Sequence, residues 1–337
     1  MTKNLIYLFC FFLISCGVTD DVLEPSVDPE VIETFGIRHD KTLWQYEKIA
    51  SNEAPFNTGD YPDFSSVVSL EMDISKNDVG ICSGVLIAPN WVLTAGHCVY
   101  DYDTDKSPMA ASKIKVNVGN DPENPIQTVN VQQIFLAPSW LAKGDFFVYG
   151  NDLCLLKLAS PITKIPTATL NYDTSSEKVN AELWFSGFGD YSQQKGQNAD
   201  VFSKKHAYQN ILDRVKEGLG HFISNETYTG GMLAFDFDDP AGLVNTLGDS
   251  YANEEERSLG EGSSQNVCLN WEGGTVEGDS GGPIFMKINN KWVVIGILNG
   301  GVTEPLKGIK DSGYGDISTF TKCSSHANWI KSILSKN

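Results

Sequence analysis

The chain has 337 residues, of which 41% are hydrophobic and 20% charged, enough apolar content for a substantial core in one large domain or two smaller ones. Its formal net charge of -18 repels duplex nucleic acid on average, which argues against a nucleic-acid role. The acidity itself speaks of solubility and names no substrate.

Lys3 opens a leader whose apolar run, Leu5 to Ile14, is too short to span a bilayer comfortably and reads as the core of a signal peptide. The run stops at Leu13-Ile14-Ser15-Cys16, followed by Gly17. That ending resembles a bacterial lipobox, which implies that Cys16 is the lipid-bearing first residue of the mature protein and residues 1–16 its leader. Several acyl chains on one residue would attach the protein stably to a membrane. The expected location is therefore the bacterial cell envelope, at the outer membrane or cell surface. Residues 17–48 read as an acidic tether or propeptide, with Asp20, Asp21, Glu24, Asp28, Glu30 and Glu33 carrying the charge. Cys10 and Cys16 belong to the leader. The remaining Cys82, Cys98, Cys154, Cys268 and Cys323 can form disulfides in an exported protein, but an odd set leaves at least one thiol free or paired outside the chain.

From there on the chain reads as short strands. Apolar and β-branched runs begin at Val67, Gly84, Trp91, Ile114, Val129, Leu153, Leu183 and Trp292, separated by turn residues such as Pro89-Asn90, Gly119-Asn120 and Asn289-Asn290. Many short strands without long helices between them predict an all-β, antiparallel barrel or sandwich architecture. Residues 190–265, rich in Gly, Asp, Glu and Ser, are expected to hold long loops. Trp329-Ile330 and Ile333-Leu334 fall on one face at helical spacing and predict a short C-terminal helix.

Three segments carry chemistry. In the run from Cys82-Ser83-Gly84 to Thr94-Ala95-Gly96-His97-Cys98, a histidine stands at a strand end among small residues, which leave the imidazole accessible. In Asn151-Asp152-Leu153-Cys154-Leu155, an aspartate opens an apolar strand, where its carboxylate needs donors that a histidine N–H can supply. In Gly278-Asp279-Ser280-Gly281-Gly282-Pro283, glycines around a serine permit an unusual backbone and close substrate approach. Together they meet the needs of acyl transfer. A serine hydroxyl is a weak nucleophile until a histidine takes its proton, the histidine needs a carboxylate to fix its tautomer, and the oxyanion needs N–H donors, here Gly278 and Ser280. Gly248-Asp249-Ser250 shares the triplet but lacks the following Gly-Gly-Pro.

These motifs, in this order, resemble the trypsin/chymotrypsin family of serine endopeptidases, whose segments are Thr-Ala-Ala-His-Cys, an Asp-Ile-Ala-Leu-like strand and Gly-Asp-Ser-Gly-Gly-Pro. Phe185-Ser186-Gly187-Phe188-Gly189 is similar to the family's Gly-Trp-Gly segment, and the stretch from Phe320 to Ile330 to its last strand and helix. The resemblance implies two antiparallel six-stranded β-barrels with a short C-terminal helix, over residues 49–337, barrel one at about 60–165 and barrel two at about 166–337. It implies a catalytic triad of His97, Asp152 and Ser280, an oxyanion hole at Gly278 and Ser280, a Cys82–Cys98 disulfide, polypeptide substrates, a monomer, and neither cofactor nor metal. A catalytically silent binding relative and an esterase with the same triad are the alternatives.

The departures concern specificity and activation. Gly274, followed by Thr275, stands where trypsin-like members carry the Asp that selects Lys or Arg. Asn299-Gly300-Gly301 replaces the family's Ser-Trp-Gly wall, and Ser318 lies near the far wall of the pocket. A small, uncharged or moderately polar side chain is thus the expected residue before the cut, unless Glu272 or Asp316 reaches into the pocket. In the family a new N-terminal amine pairs with the Asp before the serine, here Asp279, and a cut after Lys48 would free Ile49 for that role. Cys154 and Cys323 lie on segments that approach each other in the family fold, either bonded or free, and Cys268 has no evident partner. Asp236, Asp238 and Asp239 read as a solvated acidic loop rather than a calcium site. His39, His206, His221 and His326 read as surface or core histidines.

Overall fold

A computed structural model describes residues 4–5, 34–57, 59–75, 78–101, 107–138, 140, 150–191, 203–223, 226–248, 259, 264–302 and 311–336. Cys16 and residues 17–33 lie outside the described residues. Of the leader only Asn4–Leu5 is described, as a short strand running parallel to Asp78 and Val79.

The first apolar runs form β1 (Val67–Asp73), β2 (Asp78–Ala88), β3 (Trp91–Thr94), β4 (Ile114–Val118), β5 (Gln127–Leu136) and β6 (Cys154–Leu158). They pair antiparallel in the order β2-β1-β4-β5-β6-β3, and β3 pairs back onto β2, so the sheet closes into a six-stranded barrel with no free edge. Val68, Leu70, Val85, Leu93, Val116 and Leu155 fill its buried core.

The second unit has seven strands: β7 (Glu182–Gly187), β8 (His206–Ile211), β9 (Arg214–Ile223), β10 (Glu226–Asp236), β11 (Pro283–Ile288), β12 (Lys291–Val302) and β13 (Ile317–Lys322). Their order is β8-β7-β11-β12-β13-β10-β9, and its two ends, β8 and β9, are consecutive in the chain. Among its described residues the stretch 190–265 is therefore not all loop, although 237–248 is. It holds β8, β9 and β10, because pairing β8 with β7 and β10 with β13 satisfies the backbone whatever the local polarity. Phe185, Tyr208, Leu233, Phe235, Ile295 and Phe320 form this unit's core. The chain ends in α2 (Ala327–Lys336), which buries Ile330.

A helix that the acidic composition of residues 17–48 did not announce, α1 (Leu43–Ala50), packs on β8. The Gln45 side chain accepts the Thr42 N–H at its start (2.9 Å), and Tyr46 and Ile49 are its buried face. This helix spans the Lys48–Ile49 bond.

The two units meet over aromatic rings and one buried lysine. Phe64, just before β1, lies 5.8 Å from both Trp184 and Phe285 of the second unit. Each such ring contributes about 2 kcal/mol or more by leaving water. Lys205, immediately before β8, donates across the junction to the carbonyls of Phe64 (3.0 Å) and Val67 (3.1 Å). Burial pushes its ammonium down to about 7. The unfolded chain then binds more protons than the folded one between pH 7 and the ordinary lysine range, so this group makes stability rise with pH across that window. Thermal melts of wild type and Lys205→Met from pH 7 to pH 9 should show the wild type gaining relative to the variant, by up to about 1.4 kcal/mol per pH unit. A pH-independent difference between them would remove the buried charge from this account.

Candidate active site

His97 follows β3, in a single 3₁₀ turn, and Asp152 precedes β6, which pairs with β3. That pairing sets both ends side by side. Asp152 is fully buried; its Oδ2 lies 2.6 Å from His97 Nδ1 and its Oδ1 accepts the His97 backbone N–H (2.9 Å). One carboxylate thus fixes the ring and the backbone of the same residue, leaving Nε2 as the ring nitrogen for chemistry. A Cβ at residue 96 would sit 3.0 Å from Asp152 Oδ1, a close approach that the neighbours would have to yield to by a few tenths of an ångström. Cys82, in β2, and Cys98 form a disulfide behind the histidine. On distance alone Cys82, His97 and Cys98 form a metal-sized group, but the disulfide removes both thiolates.

The loop from Gly278 to Gly282 docks onto the same strand ends. Ser83 donates its N–H to Ser280 O (2.7 Å) and its hydroxyl to Gly278 O (3.1 Å), while accepting the Phe188 N–H (2.9 Å). Gly281 has φ +81°, and a Cβ there would stand 2.1 Å from Thr94 Oγ1. The N–H groups of Asp279, Gly281 and Gly282 are taken by Val276, Leu298 and Asp279 carbonyls. Among the described residues, those of Gly278 and Ser280 donate to no protein acceptor, and Ser280 is partly exposed. Ser83 is the residue whose role the motif did not reveal. It sits between Cys82 and Gly84, and only the docking of the two units shows what it holds.

Asp279 is buried beneath this loop. Its Oδ1 accepts the Gly189 N–H (2.8 Å) and its Oδ2 the Val276 N–H (3.1 Å). His206 Nε2 lies 3.0 Å from Oδ1, off the hydrogen-bond line, and neither ring nitrogen has a hydrogen-bond partner among the described residues.

The described residues expected to line the substrate pocket, Gly274, Thr275, Asn299, Gly301 and Ser318, are uncharged. Gly274 rests against the Phe237 ring and gives its N–H to Gly36 O (3.0 Å). Thr275 Oγ1 and Ser318 Oγ meet at 2.9 Å, so two hydroxyls occupy each other. Ser318 pairs with Gly301 across β12 and β13. Asn299 accepts from Thr319 Oγ1 (2.7 Å) rather than contacting Asp152. Neither Glu272 nor Asp316 reaches in: Glu272 accepts the Asp238 and Leu269 N–H groups, and Asp316 those of Ser312 and Ile317. Burial pushes the Glu272 carboxyl up to about 8 and, with Asp236 beside it, Asp238 up to about 10. The acidic run is buried, not solvated. Asp239 caps the turn through Ala241, Leu243 and Val244 N–H groups, and Asp236 accepts from Leu247 N–H and Ser264.

Cys154, Cys268 and Cys323 are free thiols, Cys154 and Cys323 fully buried, so the bonded alternative for that pair is not adopted. His39 contacts the Tyr314 hydroxyl (2.9 Å), His326 the Gly150 carbonyl (2.9 Å), and His221 lies on β9. A cavity of about 320 Å³ opens elsewhere, between Ile49, Phe56, Tyr61, Trp184 and Trp271.

A closed six-stranded barrel beside a second antiparallel sheet, with a buried Asp–His pair at a barrel end and a glycine-rich serine loop docked on it, defines the chymotrypsin-like fold. The family model described as Trypsin matches residues 59–238, a span that includes His97 and Asp152 and stops before Ser280. The chain belongs to the trypsin-like serine protease family, a family of serine-type hydrolases acting on polypeptides. Among curated proteins it is similar to chymotrypsin-like elastase family member 1 of Homo sapiens, 25% identical over 81% of this chain and 88% of that protein. The protein of the same name from Canis lupus familiaris is 24% identical over 76% of this chain and 82% of its own length. Among solved structures a Glu endopeptidase in complex with MPD shares the fold, with a TM-score of 0.51 and 15% identity over 82% of this chain and 94% of that one.

Replacing Ser83 by Ala leaves a buried Gly278 carbonyl and the Phe188 N–H without their partner. Denaturant unfolding should show a loss of about 1–3 kcal/mol, and a loss within error would mean that water replaces the hydroxyl.

Proposed function

We propose that this chain is an endopeptidase that cleaves peptide bonds through a His97–Asp152–Ser280 triad and an acyl-enzyme. The observation that carries the reading is the fully buried Asp152 carboxylate on both Nδ1 and the backbone N–H of His97, with the Ser280 loop clamped by Ser83 to the strands that lead there. Ser280 Oγ attacks the scissile carbonyl, and His97 Nε2 takes its proton and returns it to the leaving amine. Asp152 stabilises the imidazolium, and the Gly278 and Ser280 N–H groups receive the oxyanion. Water then releases the acyl group by the same steps in reverse. The leader reading adds export and a lipid anchor at Cys16.

A fluorophosphonate probe should label the wild type and not Ser280→Ala. Asp152→Asn should keep the fold and lower kcat by about 10⁴-fold, since the wrong tautomer then faces Ser280. Labelling that survives in Ser280→Ala would assign the nucleophile elsewhere.

For the residue before the cut, the closed Thr275–Ser318 hydroxyl pair and the absence of a charge at Gly274 favour a small, uncharged or moderately polar side chain, as the elastase name of the relatives also suggests. Digestion of a peptide library should give kcat/KM at least about tenfold higher after such residues than after Lys or Arg; efficient cleavage after either base refutes this.

A further inference from the structure

His206 and Asp279 make a close contact, Nε2 to Oδ1 at 3.0 Å, that the triad does not use. Both are fully buried, and among the described residues His206 is the basic side chain in contact with that carboxylate. The register of β7 and β8 places it, because Gly187 pairs with His206. Close approach is possible because β7 ends in glycines: a Cβ at Gly187 would lie 2.3 Å from Asp279 Oδ1, and one at Gly189 2.6 Å from its Cγ. The ring sits in an aromatic box, with the Tyr191 edge 4.5 Å away and Tyr208 stacked at 6.3 Å. The titratable groups that face it are Asp279 from the serine loop, Tyr191 after β7, Tyr208 on β8 and Glu47 on α1, with exposed Lys204 one turn of chain away. Burial holds both phenols well above their ordinary range, so neither competes for the charge. A buried carboxylate stripped of its cation is strongly destabilised.

The segment ahead of Ile49 is also part of the site's frame. Gly36 O accepts the Gly274 N–H, Ile37 bridges Gly273, and the Tyr46 hydroxyl donates to Glu272 O (2.9 Å). Ile49 itself is buried in the last turn of α1, which a cut at Lys48 would have to unwind.

We propose that His206 is a positioning residue: its buried ring holds Asp279, and through it the Gly278–Ser280 backbone, so that the oxyanion-binding shape forms in a chain uncut at Lys48–Ile49. The proposal rests on the serine-hydrolase reading above. Asp279 thereby keeps the ionic role expected of it with an internal partner in place of a new amine.

The test is fluorophosphonate labelling with intact-mass detection, beside steady-state kinetics of His206→Gln. The labelled wild type should be continuous across Lys48–Ile49. His206→Gln should lose about 10²-fold in kcat with KM little changed, the scale of losing one oxyanion contact. Should His206→Gln fail to fold, Asp279→Asn and the double variant serve, the double being no slower than the slower single. Labelling confined to chains that start at Ile49, or a His206→Gln with wild-type kcat, overturns the proposal and leaves the hydrolase reading intact. No labelling of wild type, cut or uncut, overturns both.

Discussion

A carboxylate shut away from water must be met by donors or lose its charge, and the arrangement of this protein follows from where it meets that demand. Asp152 is answered by one residue twice, ring and backbone of His97, and that double contact fixes the end of β3 against the start of β6. Asp279 is answered by two backbone N–H groups and His206, and that contact fixes the serine loop. Glu272 accepts two backbone N–H groups but lies with Asp238 among other buried carboxylates, and burial with that crowding drives both toward the neutral form.

The junction between the two units is where these constraints act on each other. Lys205 and His206 are neighbours in sequence and point to different tasks: Lys205 reaches the carbonyls of Phe64 and Val67 in the first unit, His206 the aspartate under the serine loop. Ser83 completes the connection from the other side, since it belongs to the barrel and holds Gly278 and Ser280. The serine loop is thus tied by both units, and relative movement of the barrel and the second sheet would act on the geometry of Ser280. Such a design places the reacting groups on rigid elements rather than on a free loop.

Much of this was legible in the sequence because the chemistry is local. Thr94 to Cys98, Asp152 to Leu155 and Gly278 to Pro283 each carry their message within a few residues, through small neighbours, an apolar strand and glycines. The strands of the barrel were legible too, since β-branched runs bounded by turn residues need no partner to be recognised. Residues 190–265 were not. Their polar composition suggests loops, while β8, β9 and β10 exist because other strands offer them hydrogen bonds. The helix α1 was hidden too, because eight residues with a short amphipathic face are a weak signal and they come soon after the acidic residues 20–33.

By itself the sequence determined the residue types, their order and the fold class they require, because periodicity and side-chain chemistry are properties of neighbours along the chain. Tertiary structure alone decided the rest. It made Asp236, Asp238 and Asp239 buried and internally bonded, left Cys154 and Cys323 as free thiols, set the Thr275 hydroxyl against that of Ser318, and brought His206 to Asp279. Each of these joins residues far apart in the chain, and their interaction depends on strand register and burial, which only the packed fold sets.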